Sequence, residues 1–178
     1  MRTQRVRHRR RVGIAAQSAD AADPGLSIAG LAFRSESGAR RDQLRERGDR
    51  VETIYEGYLL HYGRSRLFEP PDEDVALLLG DALLAQGLVL VAGTGSVAAV
   101  ADLAELLALC TQARADGADG DGAAWAATAA LLGDGGLDEA RAELRDARDP
   151  GPLERLARAS AGDDGVDAAL AAHASRLV

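Results

Sequence analysis

The segment with the clearest potential for binding chemistry is LVLVAGTGSVAAVADLAELL, residues 88–107. Five apolar residues lead into Gly93-x-Gly95-x-x-Ala98 and then into a helical pattern, the order found in dinucleotide-binding units. In such a unit the glycines let the backbone approach the pyrophosphate of the cofactor. The same segment is equally compatible with two packed helices that are joined by a tight corner.

The elements around this segment favour the helical corner. A dinucleotide-binding unit needs a second, parallel strand after its helix, and none follows residues 97–115. Upstream, residues 77–92 continue without a strand-ending signal, so LVLVA is predicted to form the last turns of a helix. Thr94 or Ser96 can then cap the next helix. We therefore expect no dinucleotide cofactor here.

Two further reactive side chains, Cys110 and His173, have no evident chemical partners in the sequence. Cys110 is the only cysteine, so neither a disulfide nor a thiolate metal site can form within the chain. It lies in an apolar helical pattern, which predicts a buried thiol. His173 lies in an alanine-rich helical pattern. These residues predict no metal site.

Helical spacing of apolar residues predicts an all-α helical bundle. Aromatic residues are only 3% of the chain, which favours close-packed helices of Ala, Leu and Val over a sheet. The second predicted helix is apolar almost all round, which indicates the centre of a bundle, because Asp81 at its middle opposes a membrane span. The predicted core helices are Val51–Tyr62, which ends at Gly63, Asp74–Ala92, which is capped by Asp72, and Val97–Ala115.

The C-terminal third predicts one alanine-rich helix, AAWAATAALLG, and three short helices, LDEARAELRDAR, PLERLARAS and GVDAALAAHASRL. The first two short helices carry so much charge that we expect them on the surface. Short charged helices cannot cover both leucine-rich helices, so an apolar face should remain exposed as an interaction site. We expect this interface on the helix Val97–Ala115, with four residues near the contact: Val100, Leu103, Leu107 and Cys110.

Charge divides the chain into a basic and an acidic part. Residues 1–50 contain 12 arginines and 6 acidic residues, whereas residues 51–178 contain 9 and 22. We predict a disordered basic tail over residues 1–45 and an α-helical domain over residues 46–178. The tail could contact nucleic acid or a membrane surface, or be an unstructured leader or an overlong gene start. The acidic domain itself is a poor candidate for binding nucleic acid.

Residues 51–115 resemble the middle of the all-α trans-polyprenyl diphosphate synthases. The resemblance rests on GRSRLF, on VALLLGDALLAQGLVLVA and on SVAAVADLAELLALCTQ. Its most specific part is the run from Gly80-Asp81 to Leu84-Ala85, which is similar to the family's Gly-Asp-x-Leu-Leu-Ala helix. The resemblance implies a truncated isoprenoid-synthase-like bundle.

Members of that family hold magnesium ions with two Asp-Asp-x-x-Asp motifs, and the ions neutralise the leaving diphosphate of the substrate. We expect this chain to lack both motifs, since it is short and its C-terminal third has no helix that matches the second one. Asp163-Asp164 lies between glycines and predicts a turn or a cap. Glu52 and Glu56 stand where the resemblance places the first motif, and they share a helix face.

The resemblance makes Glu52, Glu56 and Asp81 the candidates for a remnant catalytic site, with magnesium as cofactor only if that remnant is active. Arg64 and Arg66 are the candidates for binding an anionic substrate. The alternative interpretation is that the glutamates and arginines are simply solvated side chains on a helix and a loop.

Three functions follow from these patterns. The first is a non-catalytic relative of the synthases, such as a small subunit that helps to set product length while a partner carries the aspartates. The second is an independent helical interaction module that uses the arginine tail. The third is an active prenyltransferase. For the first, we expect a cytoplasmic protein without a transmembrane segment that forms homo-oligomers or binds a synthase-like partner.

Overall fold

A computed structural model describes the backbone of residues 38–177 and the side chains of residues 50–177. The described residues form an all-α bundle, as predicted, and contain no strand beyond a single bridge between Gly63 and Leu177. The helices are α1 (Gly38–Tyr62), α2 (Glu73–Ala92), α3 (Val97–Ala115), α4 (Asp121–Ala130), α5 (Asp138–Ala142), α6 (Gly151–Ala161) and α7 (Asp163–Ala174), and a π-helical turn (Glu143–Ala147) follows α5.

The helix ends follow the capping residues that the sequence predicts. The Asp72 carboxylate accepts a hydrogen bond from the Val75 amide at 2.9 Å and starts α2. The Ser96 hydroxyl accepts one from the Ala99 amide at 3.2 Å and starts α3. Residues 88–92 are helical, so the corner after them joins two helices.

Helix α1 begins before the predicted core helix Val51–Tyr62. This helix begins at Gly38, so residues 38–45, which were expected to belong to the tail, are part of the first helix. The remainder of the predicted tail, residues 1–37, lies outside the described residues, and so do its proposed contacts with nucleic acid or membrane.

The centre of the bundle is α4 rather than α2. All ten residues of α4 are buried, and α3, α6 and α7 pack around it while Tyr55 and Tyr58 of α1 contact the Trp125 ring edge-on. Six of these ten residues are alanine, whose small side chains let neighbouring helices approach closely. The prediction that α2 is central is therefore wrong.

Helix α2 lies at the edge of the bundle and packs mainly on α1. Its buried residues are Gly80, Gly87 and Val91. A methyl group added at Gly80 would come within 2.8 Å of the His61 ring, and one at Gly57 would come within 2.9 Å of the Gly80 carbonyl oxygen. The glycines therefore let the two helices pack at short range through one narrow side of α2.

The C-terminal helices contribute more to the core than their charge suggests. Leu144 in the π-helical turn and Leu153 in α6 are buried, and Arg141 in α5 is only 4% exposed. The Arg141 guanidinium donates to the Asp102 carboxylate at 3.0 Å and so holds α5 against α3. These helices have exposed sides, and their apolar sides complete the core.

The expected interface on α3 is also corrected. Leu103 and Cys110 are fully buried in the hydrophobic core, and Val100 and Leu107 are partly buried against it. This face of α3 is an inner face of the monomer. The exposed large apolar side chains lie instead mostly on α2, with Leu78 and Val89 each 70% exposed.

Among the described residues one helix, α2, is long and apolar enough to cross a membrane, with a mean hydropathy of 2.1 over its most apolar window. A single helix of this kind is weak support for a membrane span. The ionisable Asp81 lies near its middle, where a bilayer would disfavour it. The described residues therefore contain no clear transmembrane segment.

Candidate functional site

The carboxylates expected to hold a metal bind an arginine of the chain itself. Glu52 and Glu56 lie one turn apart on α1, and both form ion pairs with Arg66 from the loop after that helix. Glu52 and Glu56, which were predicted to bind a metal, therefore have their negative charge partly neutralised by Arg66, which was predicted to bind an anion. We call Glu52, Glu56, Ser65 and Arg66 the carboxylate–arginine cluster.

Glu56 is the most enclosed member of this cluster. It is 2% exposed, and its Oε2 accepts hydrogen bonds from the Ser65 hydroxyl at 2.6 Å and the Arg66 amide at 3.1 Å. Its Oε1 accepts from the Arg66 side chain. With both oxygens engaged by protein donors, Glu56 has little capacity left for a cation.

Arg66 is fixed from several directions. Burial would lower the pKa of Arg66, but the charges and hydrogen bonds of Glu52 and Glu56 raise it above its usual value. Its guanidinium carbon also lies 4.9 Å from the centre of the Tyr55 ring, in a cation–π contact. The arginine is therefore permanently charged and held away from solvent anions.

Arg64 has a different environment from Arg66. It is exposed, and its side chain donates to the Ser175 carbonyl at 3.2 Å. It lines an open cleft of about 560 Å³ together with Arg176, Glu69 and seven other residues. The two predicted anion-binding arginines thus do not converge on one ligand.

Asp81 does not join the two glutamates in a common site. Its carboxylate lies 3.1 Å from His61 Nε2 and is largely exposed. The glutamates instead face the loop that carries Arg66. The three catalytic candidates from the resemblance therefore do not lie in one site.

One aspartate string corrects the expectation that the family motif is absent. Residues 163–167 have the sequence Asp-Asp-Gly-Val-Asp, which fits Asp-Asp-x-x-Asp. Its three aspartates are exposed at the start of α7, where Asp163 and Asp167 face Arg158 at 3.6 and 2.7 Å. It lies about 9–15 Å along α7 from His173, the residue of that helix that bonds to α1. These aspartates form a surface ion-pair group.

The described residues contain no group of three or more His, Cys, Asp or Glu side chains arranged to hold a metal ion. Magnesium requires several oxygen ligands in a near-octahedral arrangement. Glu52 and Glu56 do not fit this requirement, because an arginine already bonds to both carboxylates. The two glutamates therefore do not form a magnesium site.

A second cluster lies in the core, where it joins four helices. We call it the buried polar network, and its members are Tyr55 and Tyr58 from α1, Arg114 from α3, Asp121 from α4 and His173 from α7. Asp121 Oδ2 accepts from the Tyr58 hydroxyl at 2.5 Å and from Arg114 Nη2 at 2.6 Å. His173 Nε2 lies 3.5 Å from the same oxygen.

The network fixes the protonation states of Asp121, Tyr55 and Tyr58. Burial alone would raise the pKa of Asp121, but His173, Tyr58 and Arg114 outweigh it and hold that pKa well below its usual range. Burial also raises the pKa of Tyr55 and Tyr58, so both phenols stay protonated. The Tyr55 hydroxyl lies 2.9 Å from His173 Nδ1, within hydrogen-bonding distance.

This network stabilises the fold and offers little access to a substrate. Two surface clefts of about 560 and 690 Å³ are lined by other residues. His173 and Tyr58 are almost fully buried. Their contacts connect α1 with α4 and α7, so the network acts as a polar cross-link of the bundle.

Sequence reasoning missed most of this network. Asp121 lies within the glycine-rich DGADGDG segment, which indicates a turn, and His173 lies 52 positions later on another helix. The helical spacing of apolar residues over Val51–Tyr62 indicated only that one side of α1, which includes Tyr55 and Tyr58, faces the interior. Nothing in the local pattern shows that these residues meet.

Comparison with known proteins assigns no family. No family model matches the sequence. Neither the curated proteins nor the solved structures contain a significant match. The likeness of residues 51–115 to polyprenyl synthases therefore rests on the sequence motifs alone.

Replacing Arg66 by glutamine tests the carboxylate–arginine cluster. We expect Arg66→Gln to lower the free energy of unfolding by about 2 kcal/mol, because it leaves Glu52 and Glu56 without their counter-charge. Millimolar magnesium should raise the melting temperature of this variant more than that of the wild type, since the freed carboxylates can then attract a cation.

The control is Arg64→Gln, which changes an exposed arginine two residues away and should alter neither stability nor the response to magnesium. If wild type and Arg66→Gln respond equally to magnesium, the arginine does not occupy the place of a cation.

Proposed function

We propose that this chain is a non-catalytic helical subunit that acts in the cytoplasm in isoprenoid or quinone side-chain synthesis. The observation that carries the proposal is the pairing of Arg66 with both Glu52 and Glu56. Those glutamates occupy the positions where the resemblance places the first metal-binding motif. A magnesium ion would have to displace a partly buried guanidinium to reach them.

The helical hairpin of α1 and α2 supports the same proposal. Gly80 and Asp81, the most specific part of the resemblance, lie where α2 contacts His61 of α1. The chain thus keeps the packing residues of that segment, while its glutamates bond to an arginine. A subunit of this kind would contribute helical surface to a partner synthase that carries the reacting aspartates.

The test combines an activity assay with a reconstitution. The purified chain is incubated with magnesium, isopentenyl diphosphate and an allylic diphosphate, and we expect no prenyl transfer. A full-length polyprenyl synthase from the same cells is then added, and we expect the two proteins to elute together and the product length to change.

Two results would contradict the proposal. One is prenyl transfer by the chain alone that is lost in Glu56→Gln, since this would make the glutamate part of a catalytic site. The other is a synthase whose elution and product length are unchanged by the chain.

A second candidate function is a helical interaction module unrelated to the synthases, with the basic segment of residues 1–50 as a further binding element. The exposed apolar side of α2 favours this candidate, because large exposed apolar patches mark interaction sites. Capture of other proteins by the chain, with no synthase among them, would support this function over the first.

A further inference from the structure

Helix α2 exposes a continuous apolar strip on the side that faces away from α1. We call this strip the α2 seam. Every one of its residues is exposed, while Gly80 and Gly87 on the opposite side of the helix are buried. The residues of the α2 seam are Val75, Leu78, Ala82, Ala85, Val89 and Ala92.

The spacing within the α2 seam is that of a coiled-coil contact face. Successive residues are three, four, three, four and three positions apart, which places them at the a and d positions of heptads. Gly80 and Gly87 then occupy the f positions, directly opposite. The helix has 20 residues and is about 30 Å long, and the seam runs along nearly all of it, for about five turns.

The α2 seam has no polar residue, which distinguishes it from an ordinary solvent-facing helix side. Surface helices of globular proteins carry charged or polar residues opposite their buried face. Here the buried side is formed by Gly80, Gly87 and Val91, and the exposed side carries Leu78 and Val89, each 70% exposed. An apolar side with heptad spacing fits another helix of the same kind.

The charges of the helix favour a second copy in the antiparallel direction. Acidic residues Asp72, Glu73 and Asp74 surround its N-terminal end, whereas its last turn has no charge. A parallel pair would bring the acidic ends together, and like charges repel. An antiparallel pair places each acidic end beside the uncharged end of the other helix.

The same charges oppose a bilayer as the occupant. Residues 51–178 contain 22 acidic residues against 9 arginines, so an anionic membrane surface would repel this part of the chain. Asp81 lies near the middle of the helix, where burial in hydrocarbon is unfavourable.

The α2 seam is also complementary to itself in size. Ala82 and Ala85 lie at its midpoint, and larger residues lie on both sides of them. A two-fold axis at this midpoint pairs Leu78 with Val89 of the partner subunit, and Ala82 with Ala85 of the partner subunit. Small residues at the centre let the two helices approach closely.

We propose that the α2 seam is the interface of a homodimer, in which α2 pairs with α2 of a second copy in the antiparallel direction. This inference is independent of the proposed function, because it requires neither a synthase partner nor an inactive site. It also moves the interaction surface from α3, where sequence analysis placed it, to the neighbouring helix.

The first experiment measures the mass of the full-length chain by sedimentation equilibrium. We expect the wild type to dimerise at micromolar concentration, and Leu78→Glu or Val89→Glu to raise the dimer dissociation constant at least about tenfold. Because both side chains are mostly exposed in the monomer, the variants should keep the circular dichroism spectrum of the wild type. Val97→Glu, at an 82% exposed apolar residue outside the seam, is the matched control and should remain dimeric.

The second experiment determines the direction of the pair. The double variant Leu78→Glu with Val89→Lys places opposite charges across the proposed antiparallel contact, so we expect it to dimerise more tightly than Leu78→Glu alone. In a parallel pair the same changes would place like charges together and weaken the dimer further.

Three results would overturn the proposal. The first is a wild-type chain that stays monomeric, which is also expected if residues 1–37 cover the seam. The second is a dimer that is unaffected by Leu78→Glu and Val89→Glu. The third is a monomer that binds phosphatidylcholine vesicles through the seam, since both variants would then reduce vesicle binding.

Discussion

Leu103→Glu is expected to prevent the chain from folding. Leu103 is completely buried in α3, and replacing a buried leucine by alanine alone costs about 2–5 kcal/mol. A glutamate adds the cost of transferring a carboxylate into an apolar interior. Since domains of this kind are stable by about 5–15 kcal/mol, the sum removes most or all of the stability.

The measurement is far-ultraviolet circular dichroism with thermal unfolding. Ala104→Glu is the matched control, because it introduces the same side chain at the next position of α3, which is exposed. We expect this control to keep the helical spectrum. If Leu103→Glu were folded and only its association changed, the earlier interpretation of this α3 face as an interface would be correct.

Asp121→Asn is expected to lower the free energy of unfolding by about 3–5 kcal/mol at neutral pH. The carboxylate accepts hydrogen bonds from Tyr58 and Arg114 and faces His173, so its removal leaves a partly buried arginine without its counter-charge. Asparagine keeps the size of the side chain, which limits the effect to charge and hydrogen bonding. Urea unfolding monitored by circular dichroism gives the difference directly.

The effect of Asp121→Asn should depend on pH in one direction. The pKa of Asp121 is lower in the folded chain than in the unfolded chain, where it is about 4. Its contribution to stability is therefore fully present above about pH 5 and is lost as the pH falls below 4. The stability difference between wild type and variant should shrink over that range.

Asp167→Asn provides the control for this prediction. Its carboxylate is ion-paired with Arg158 at 2.7 Å but is mostly exposed, so water replaces the lost partner. A similar loss of stability in both variants would mean that burial of the Asp121 network is unimportant.

The first half of the fold could be predicted from the sequence because its signals are local. Gly63 ends α1, Asp72 caps α2, and Ser96 caps α3, each at the position that the residue type favours. The corner after residue 92 could likewise be assigned to a helix pair, since no second strand follows. Each of these predictions depends only on residues within one or two helical turns of the helix end.

The position of each helix in the bundle could not be predicted in this way. The apolar composition of α2 suggested a central helix, but its glycines bury only one narrow side against α1. The alanine-rich α4 gives little helical periodicity, yet it is the helix that its neighbours surround. Burial depends on which side chains fit together, and hydrophobicity alone does not report this.

The contacts within the candidate site could not be predicted from the sequence either. The resemblance indicated Glu52, Glu56, Arg64 and Arg66 by position, but spacing along the chain does not show that Arg66 bonds to both glutamates. Asp121 and His173 were indicated by no motif, since their contact joins different helices through the core. Long-range pairing of this kind requires coordinates.

The contact between Tyr55 and His173 has a consequence for protein synthesis. These residues are 118 positions apart, so the aromatic side of α1 has left the ribosome long before α7 is made. At typical elongation rates of about 5–20 residues per second, the delay is on the order of ten seconds. During this time the nascent α1–α2 hairpin exposes both its future core side and the outer side of α2. Until α7 has been synthesised and packs against α1, we expect chaperones that recognise exposed apolar segments to bind the nascent chain.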